Sequence, residues 1–206
     1  MMDIIAAHRR GLADALDTLT AEQWQAPSLC AGWTGVHVLA HQTMPFRFSE
    51  QDFMAGLQRS GGDFTKFSDE IADRDSKLPP AELVGVLRNN ADTPWSPPGG
   101  DLTGALCHDV IHGLDISWPR MLAYDINDQA AAKVLDAVTA TGSRTLFGFP
   151  LDGIKVVATD LDWSAGQGAE LTGGSRDLIP LLAGRVVPHE LFGGPGAARA
   201  WSLAPR

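Results

Sequence analysis

The chain has 206 residues, of which 44% are hydrophobic and 20% are charged, and its formal net charge is −9. This length and hydrophobic content allow one globular domain, or a main domain with a small addition. The negative charge and the lack of any basic run argue against binding to nucleic acid or to an anionic membrane, since both of those surfaces are themselves negative.

Apolar runs and cysteine content indicate the cellular compartment. The sequence has no stretch of about 18 uninterrupted apolar residues, and its N-terminus lacks the basic start and apolar core of a secretory signal. Cys30 and Cys107 are the only cysteines, which is too few for a disulfide framework or a four-cysteine zinc site. We therefore expect a cytoplasmic protein in a reducing compartment.

The beginning of the chain shows the apolar spacing of amphipathic helices. Residues 3–18 predict the first helix, and a capping box is predicted to begin at Thr20. Thr34 is expected to cap a second helix that runs to about residue 58. Because proline lacks a backbone N–H and restricts the preceding residue, Pro45 should kink or split this helix.

Further helical segments follow along the chain. The polar residues 64–76 predict a short helix, and residues 79–92 predict a longer one that begins with prolines. Asp101 is expected to cap the next helix, which continues to about Trp118. The alanine-rich residues 126–148 predict the last helix of this region.

The sequence pattern then changes from helical spacing to alternation. Residues 154–163 alternate with a period of two and predict a strand, with residues 168–174 as its possible partner. Residues 175–185 predict a capped helix. We therefore expect a helical domain over residues 1–148 and a small α+β segment over residues 149–206.

The helix predicted from Asp101 to Trp118 carries two histidines on one face. His108 and His112 are four residues apart and Asp115 follows three residues later, so neighbouring β-carbons should lie about 5–6 Å apart. Two imidazoles in this arrangement can bind one divalent cation. A catalytic zinc site uses three protein ligands and leaves the remaining position to water or substrate, so a third ligand is needed.

His41 is the best candidate for the third ligand, since it lies on the other apolar helix that carries histidines and bundle sites use side chains that face one another. His37, one turn earlier, would share its face. Asp115 is expected either to orient a ligating ring or to serve as a fourth ligand. His8 and His189 are expected to be ordinary surface or packing residues.

Other interpretations of these residues remain open. A histidine on an apolar face is commonly a core residue with one hydrogen bond, although each buried imidazole without a partner costs about 1–3 kcal/mol. The segment "HDVIH" differs by one residue from the zincin signature, with Asp109 in place of the glutamate general base. Cys107 points away from His108 and is expected in the core. The loop that carries Cys30 could line the mouth of the site, although packing alone would explain this cysteine.

Three stretches carry a resemblance to a known family: "GWTGVHVLAH", "HDVIHGLDI" and "VVATDLDWSAGQGAELTGGSRDLIPLLAGR". Together they resemble the mycothiol-dependent maleylpyruvate isomerase-like family, a branch of the DinB/YfiT-like metalloenzyme superfamily, over most of the chain. The resemblance implies a mainly α protein, with an up-down-up-down four-helix bundle and a small C-terminal α+β segment. It also implies a divalent metal, usually zinc, at one end of the bundle.

The resemblance implies roles for particular residues as well. His41, His108 and His112 correspond to the metal ligands. By this resemblance, the isomerase itself would have a glutamate at the position of His108, whereas three histidine ligands are commoner in the wider superfamily. Arg185 stands near the position of an arginine that helps bind an anionic substrate or the thiol, although it would equally suit an ion pair or the end of its own helix.

The function that follows is that of a divalent-metal-dependent transferase or isomerase, which uses mycothiol on a small electrophilic substrate. Zinc, nickel and iron all accept three imidazoles. The alternatives are a metal-stabilised binding protein without turnover and a metal-hydroxide hydrolase that needs no thiol. No heptad pattern indicates a coiled-coil partner, and a monomer or a homodimer is expected.

Overall fold

The computed structural model describes residues 1–140 and 149–203. The chain divides into two compact units, Met1–Asp125 and Ile126–Arg206. Within the described residues, no helix has both the length and the apolar character that a membrane crossing requires. The predicted domain boundary at residue 148 and the end of the predicted helix over residues 126–148 lie outside the described residues.

The first unit is helical. Its helices are α1 (Met2–Leu16), α2 (Ala21–Gln25), α3 (Gly35–Thr43), α4 (Glu50–Arg59), α5 (Phe64–Asp75), α6 (Pro80–Asn89) and α7 (Leu102–Ser117). The capping box predicted at Thr20 is present, because its hydroxyl accepts a hydrogen bond from the Gln23 N–H and the Gln23 side chain accepts one from the Thr20 N–H. The carboxylate of Asp101 caps α7 by accepting from two N–H groups of the first turn.

The second predicted helix is divided at Pro45. α3 ends at Thr43, and a single 3-10 turn that contains Pro45 follows it. Because proline has no backbone N–H, it cannot continue the hydrogen-bonding pattern of α3. α4 then begins after Ser49, whose hydroxyl accepts a hydrogen bond from the N–H of Asp52.

Four helices form a bundle in the first unit, which confirms the predicted mainly α fold. α1 packs against α6 and α7, and α3 packs against the same two helices. The side chains between them are aliphatic and fully buried, and each such side chain contributes about 1.5–3 kcal/mol by leaving water. They include Leu12, Leu16, Leu39, Leu83, Leu87 and Ile116.

A second apolar cluster holds α5 against α3. It consists of Met44, Phe67 and Ile71, with Phe48, Phe53 and Leu57 packed around them. The helix predicted over residues 64–76 is present as α5, and it packs along α3. The cluster thus fixes a polar helix beside the helix that carries His41.

The second unit combines helices with a three-stranded sheet. Its α-helices and strands within the described residues are α8 (Asp128–Thr139), β1 (Ile154–Ala158), β2 (Ser164–Gly166), β3 (Ala169–Gly173), α9 (Ser175–Leu182) and α10 (Ala197–Leu203). The strand order is β2-β1-β3, with β1 antiparallel to β2 and parallel to β3. The strand predicted over residues 154–163 is present as β1 but ends at Ala158, and its predicted partner is present as β3. The three residues of β2 are too few to show a pattern.

Candidate metal centre

Three imidazole rings meet where α3 packs against α7. His41 lies near the end of α3, and His108 and His112 lie one turn apart on α7. The ring centroid of His41 is 5.3 Å from that of His108 and 4.8 Å from that of His112, and the centroids of His108 and His112 are 4.9 Å apart. One ring nitrogen of each lies within 4.8 Å of the others. We call these residues the three-histidine cluster.

Asp115 contacts His112 in the manner predicted for an orienting carboxylate. Its Oδ2 lies 2.9 Å from Nδ1 of His112, and its side chain is buried. Asp115 is not part of the three-histidine cluster. It forms a neighbouring group with Cys30 and His112, in which the possible ligand atoms also lie within 4.8 Å of one another. A carboxylate that accepts from Nδ1–H keeps the proton on that nitrogen and presents Nε2 in the opposite direction.

Asp109 provides the same kind of contact for His108. Nδ1 of His108 lies 3.2 Å from Oδ1 of Asp109, and the other oxygen, Oδ2, accepts a hydrogen bond of 2.6 Å from Nε of Arg9. Burial would raise the pKa of Asp109, but the hydrogen bond from His108 and the charge of Arg9 hold it below its usual value. Asp109 is therefore a buried, paired carboxylate, which does not suit the zincin alternative, where this position acts as a general base.

Ser68 is the partner of His41. Its hydroxyl oxygen lies 2.8 Å from Nδ1 of His41, and the serine itself is buried on α5. Each ring of the three-histidine cluster thus has a side-chain partner at Nδ1. Nε2 is consequently the nitrogen that each ring would offer to a metal ion.

The three-histidine cluster fits a divalent ion in number, chemistry and spacing. Tetrahedral zinc binds imidazole nitrogen at about 2.0–2.1 Å, so its ligand atoms lie about 3.4 Å from one another. One nitrogen of each ring of the cluster lies within 4.8 Å of the others, which is close to this spacing. Three protein ligands leave one position of such an ion for water or substrate.

Aromatic side chains surround the three-histidine cluster. The Trp33 ring lies 5.3 Å from the ring of His41, and the Trp95 ring lies 5.0 Å from that of His108. The half-exposed Phe64 is 6.4 Å from His41 and extends the aromatic surface outward. Such rings limit the access of water and offer apolar contacts to a small molecule.

His37 lies outside the three-histidine cluster. Its Nδ1 is 2.7 Å from the hydroxyl of Thr34, and its Nε2 is 3.5 Å from the carboxylate of Asp73. Thr34 is the N-cap residue of α3, as predicted, although its side chain makes no hydrogen bond to a backbone N–H of the first turn. Its hydroxyl instead forms a hydrogen bond with the His37 ring.

The remaining candidates lie elsewhere. His8 is buried in the first unit with its ring 5.5 Å from that of Tyr124, as a packing residue, and His189 stacks on Trp201 in the second unit. Arg185 also belongs to the second unit, where its guanidinium donates to the carbonyl of Ala183 near the end of α9. This contact fits the helix-end alternative, and a role in substrate binding stays a prediction.

Sequence reasoning did not identify Ser68 or Arg9 as partners of the cluster. Ser68 lies in a polar segment without a motif, and Arg9 meets Asp109 only through the packing of α1 on α7. The only available signal for Arg9 was an arginine among the buried positions of an amphipathic helix.

Comparison with known proteins links the chain to one family. Residues 5–93 match the family model described as "Mycothiol maleylpyruvate isomerase N-terminal domain". The crystal structures of the mycothiol-dependent maleylpyruvate isomerase and of a histidine-to-alanine mutant share the fold, with TM-scores of 0.62 and 0.63. Each is 14% identical, over 95% of this chain and 92% of that chain. No curated protein matches the chain significantly.

Proposed function

Because residues 5–93 match the family model of the mycothiol maleylpyruvate isomerase N-terminal domain, we propose that the chain belongs to this family and is a metal- and thiol-dependent enzyme. It would isomerise, or transfer a thiol to, a small electrophilic substrate. The observation that carries the metal dependence is the meeting of His41, His108 and His112, with one nitrogen of each within 4.8 Å. Mycothiol is the thiol named for the family and for both similar structures, and it is therefore our first candidate.

In this proposal the three-histidine cluster holds the ion through Nε2 of each ring. A divalent ion in this position would supply the positive charge that lets a bound thiol ionise near neutral pH. Zinc suits three imidazoles and an open position, and nickel and iron(II) accept the same ligands.

The chain's own residues orient the ligands and shape the surroundings. Asp115 and Asp109, as acceptors, keep the proton on Nδ1 of His112 and His108, and the hydroxyl of Ser68 would accept from Nδ1–H of His41 when Nε2 binds the ion. The aromatic rings of Trp33 and Trp95 would exclude water and contact the apolar part of a substrate. The ligand geometry is thereby set before any small molecule enters.

Two further assignments complete the proposal. Arg185 helps to bind an anionic group of the substrate or of the thiol, as the corresponding arginine of the family is expected to do. The protein works in the cytoplasm, where low-molecular-weight thiols stay reduced, as a monomer or a homodimer.

The test is an assay of the zinc-loaded protein with small electrophiles, maleylpyruvate among them, in the presence and absence of mycothiol. We expect turnover that requires both zinc and the thiol. His41→Ala should abolish it, and His37→Ala, which removes a histidine of the same helix from outside the cluster, should leave it unchanged. Turnover without the thiol would favour the hydrolase, and bound zinc without any turnover would favour the binding protein.

A further inference from the structure

Cys30 contacts the carboxylate that supports one ring of the three-histidine cluster. Its Sγ lies 3.0 Å from Oδ2 of Asp115, and the same oxygen lies 2.9 Å from Nδ1 of His112. Asp115 is buried, whereas Cys30 is half-buried in the loop before α3. One carboxylate oxygen therefore connects the thiol to a proposed metal ligand.

Hydrogen bonds hold the loop that carries Cys30 in place near Asp115. The N–H of Leu29 donates to the backbone oxygen of Asp115 at 3.1 Å, and the hydroxyl of Ser28 donates to the carbonyl of Trp33 at 2.8 Å. The Trp33 ring in turn lies beside His41. The loop therefore contacts α7 through Leu29 and the His41 ring of α3 through Trp33.

The contacts of Cys30 are those of a hydrogen-bond donor and not those of a ligand to the same ion. The set that joins His41, His108 and His112 does not include Sγ. The thiol and Nδ1–H of His112 instead share one acceptor oxygen. A carboxylate that accepts from two donors has less freedom to rotate, and the ring that it supports is held more firmly.

We propose that Cys30 is a positioning residue, which acts through Asp115 on His112 and thereby raises the affinity of the three-histidine cluster for its metal. This inference rests on the proposed function, because it concerns the metal that the cluster is proposed to bind. Loss of a partner that orients a ligand typically costs 10–100-fold in metal affinity. A thiol is a weak donor, so we expect about tenfold for Cys30.

The experiment compares zinc dissociation constants by competition with a chromophoric chelator. Cys30→Ala should weaken zinc binding about tenfold, and Cys30→Ser, which keeps an O–H donor at this position, should restore most of the affinity. Cys107→Ala is the matched control, since it removes the other, buried cysteine and should leave the zinc affinity unchanged. The unfolding free energies of the metal-free proteins are measured alongside.

Each contrary outcome is distinct. Wild-type protein that binds no zinc would contradict the proposed function, and the inference with it. Zinc affinity in Cys30→Ala equal to that of the wild type would overturn the inference alone, whether or not metal-free stability falls. Sulfur-to-metal charge transfer in the cobalt-loaded wild type that is lost in Cys30→Ser would also overturn it, because Cys30 would then be a ligand itself.

Discussion

Arg9 and Asp109 form an ion pair in the interior of the bundle, although they are 100 residues apart in the chain. Nε of Arg9 lies 2.6 Å from Oδ2 of Asp109, and the two side chains are 0% and 1% exposed. Nη1 of the same arginine donates to the carbonyls of Asn90 and Thr93. Arg9 therefore joins α1 to the partner of His108 and to the segment after α6.

Removal of the arginine should leave a buried carboxylate without its counter-charge. We expect Arg9→Met to lower the free energy of unfolding by about 3–5 kcal/mol, measured in urea. The double variant Arg9→Met/Asp109→Leu should lose less unfolding free energy than Arg9→Met, because no unpaired buried charge remains. A cost below 1 kcal/mol for Arg9→Met would show that this pair does not stabilise the bundle.

Acid should destabilise the first unit through His8. Burial lowers the pKa of His8 below 6.5 and the charge of Arg9 adds to this, against the opposing effect of Asp109. The unfolded chain therefore binds the proton more readily, so the stability is complete above pH 6.5 and falls as the pH decreases below that value.

The measurement is the unfolding free energy of the metal-free protein at pH 7.5 and pH 5.5. Wild-type protein should lose about 1 kcal/mol more between these values than His8→Leu, which has no group to protonate at this position. If the wild type and His8→Leu lose the same unfolding free energy between these pH values, His8 does not contribute to the acid sensitivity.

Two helical glycines should respond in opposite directions to a methyl group. A Cβ on Gly56 of α4 would overlap the ring of Phe67, whereas a Cβ on Gly85 of α6 would meet no atom of the described residues within 4 Å. We expect Gly56→Ala to destabilise the protein by about 1–3 kcal/mol. Gly85→Ala should stabilise it by about 0.4–1 kcal/mol, because it restricts the unfolded chain. Thermal unfolding of both variants tests the packing of α5, and equal stabilities would contradict it.

Ser68 should matter to metal binding through His41. Ser68→Ala removes the partner of Nδ1, and we expect zinc affinity to fall about tenfold. Ser60→Ala is a matched control, since this buried serine bonds Glu70 and not a histidine. Competition with a chelator measures both variants. Equal affinities would indicate that the His41 ring does not need Ser68 to keep its orientation.

Sequence reasoning was most effective where the relevant residues lie on one helix. The spacing of His108, His112 and Asp115 follows from helical geometry alone, and the contact between His112 and Asp115 is the one expected. Pro45 likewise marked the break after α3, because the effect of a proline is local. Thr34 is the N-cap residue of α3 as predicted, but its hydroxyl hydrogen-bonds the ring of His37 and makes no bond to the first turn, a choice that depends on the neighbouring side chain.

Residues that contact the cluster only through tertiary packing are not indicated by any sequence pattern. Arg9, Ser68 and Cys30 reach the cluster from α1, from α5 and from a loop, at separations that no periodicity encodes. The loop of Cys30 was expected either to line the site or only to pack, and the bond of Cys30 to Asp115 depends on how that loop folds back against α7. The extended set of contacts around the histidines could therefore be found only in three dimensions.

The central claim is that His41, His108 and His112 bind one divalent ion together. The most direct test is the zinc content per chain after saturation and dialysis, measured by elemental analysis. We predict one ion per chain for the wild type and for His37→Ala, and none for His41→Ala, His108→Ala or His112→Ala. A wild type that retains no zinc, or zinc content that is unchanged when any one of these three rings is removed, would contradict the account.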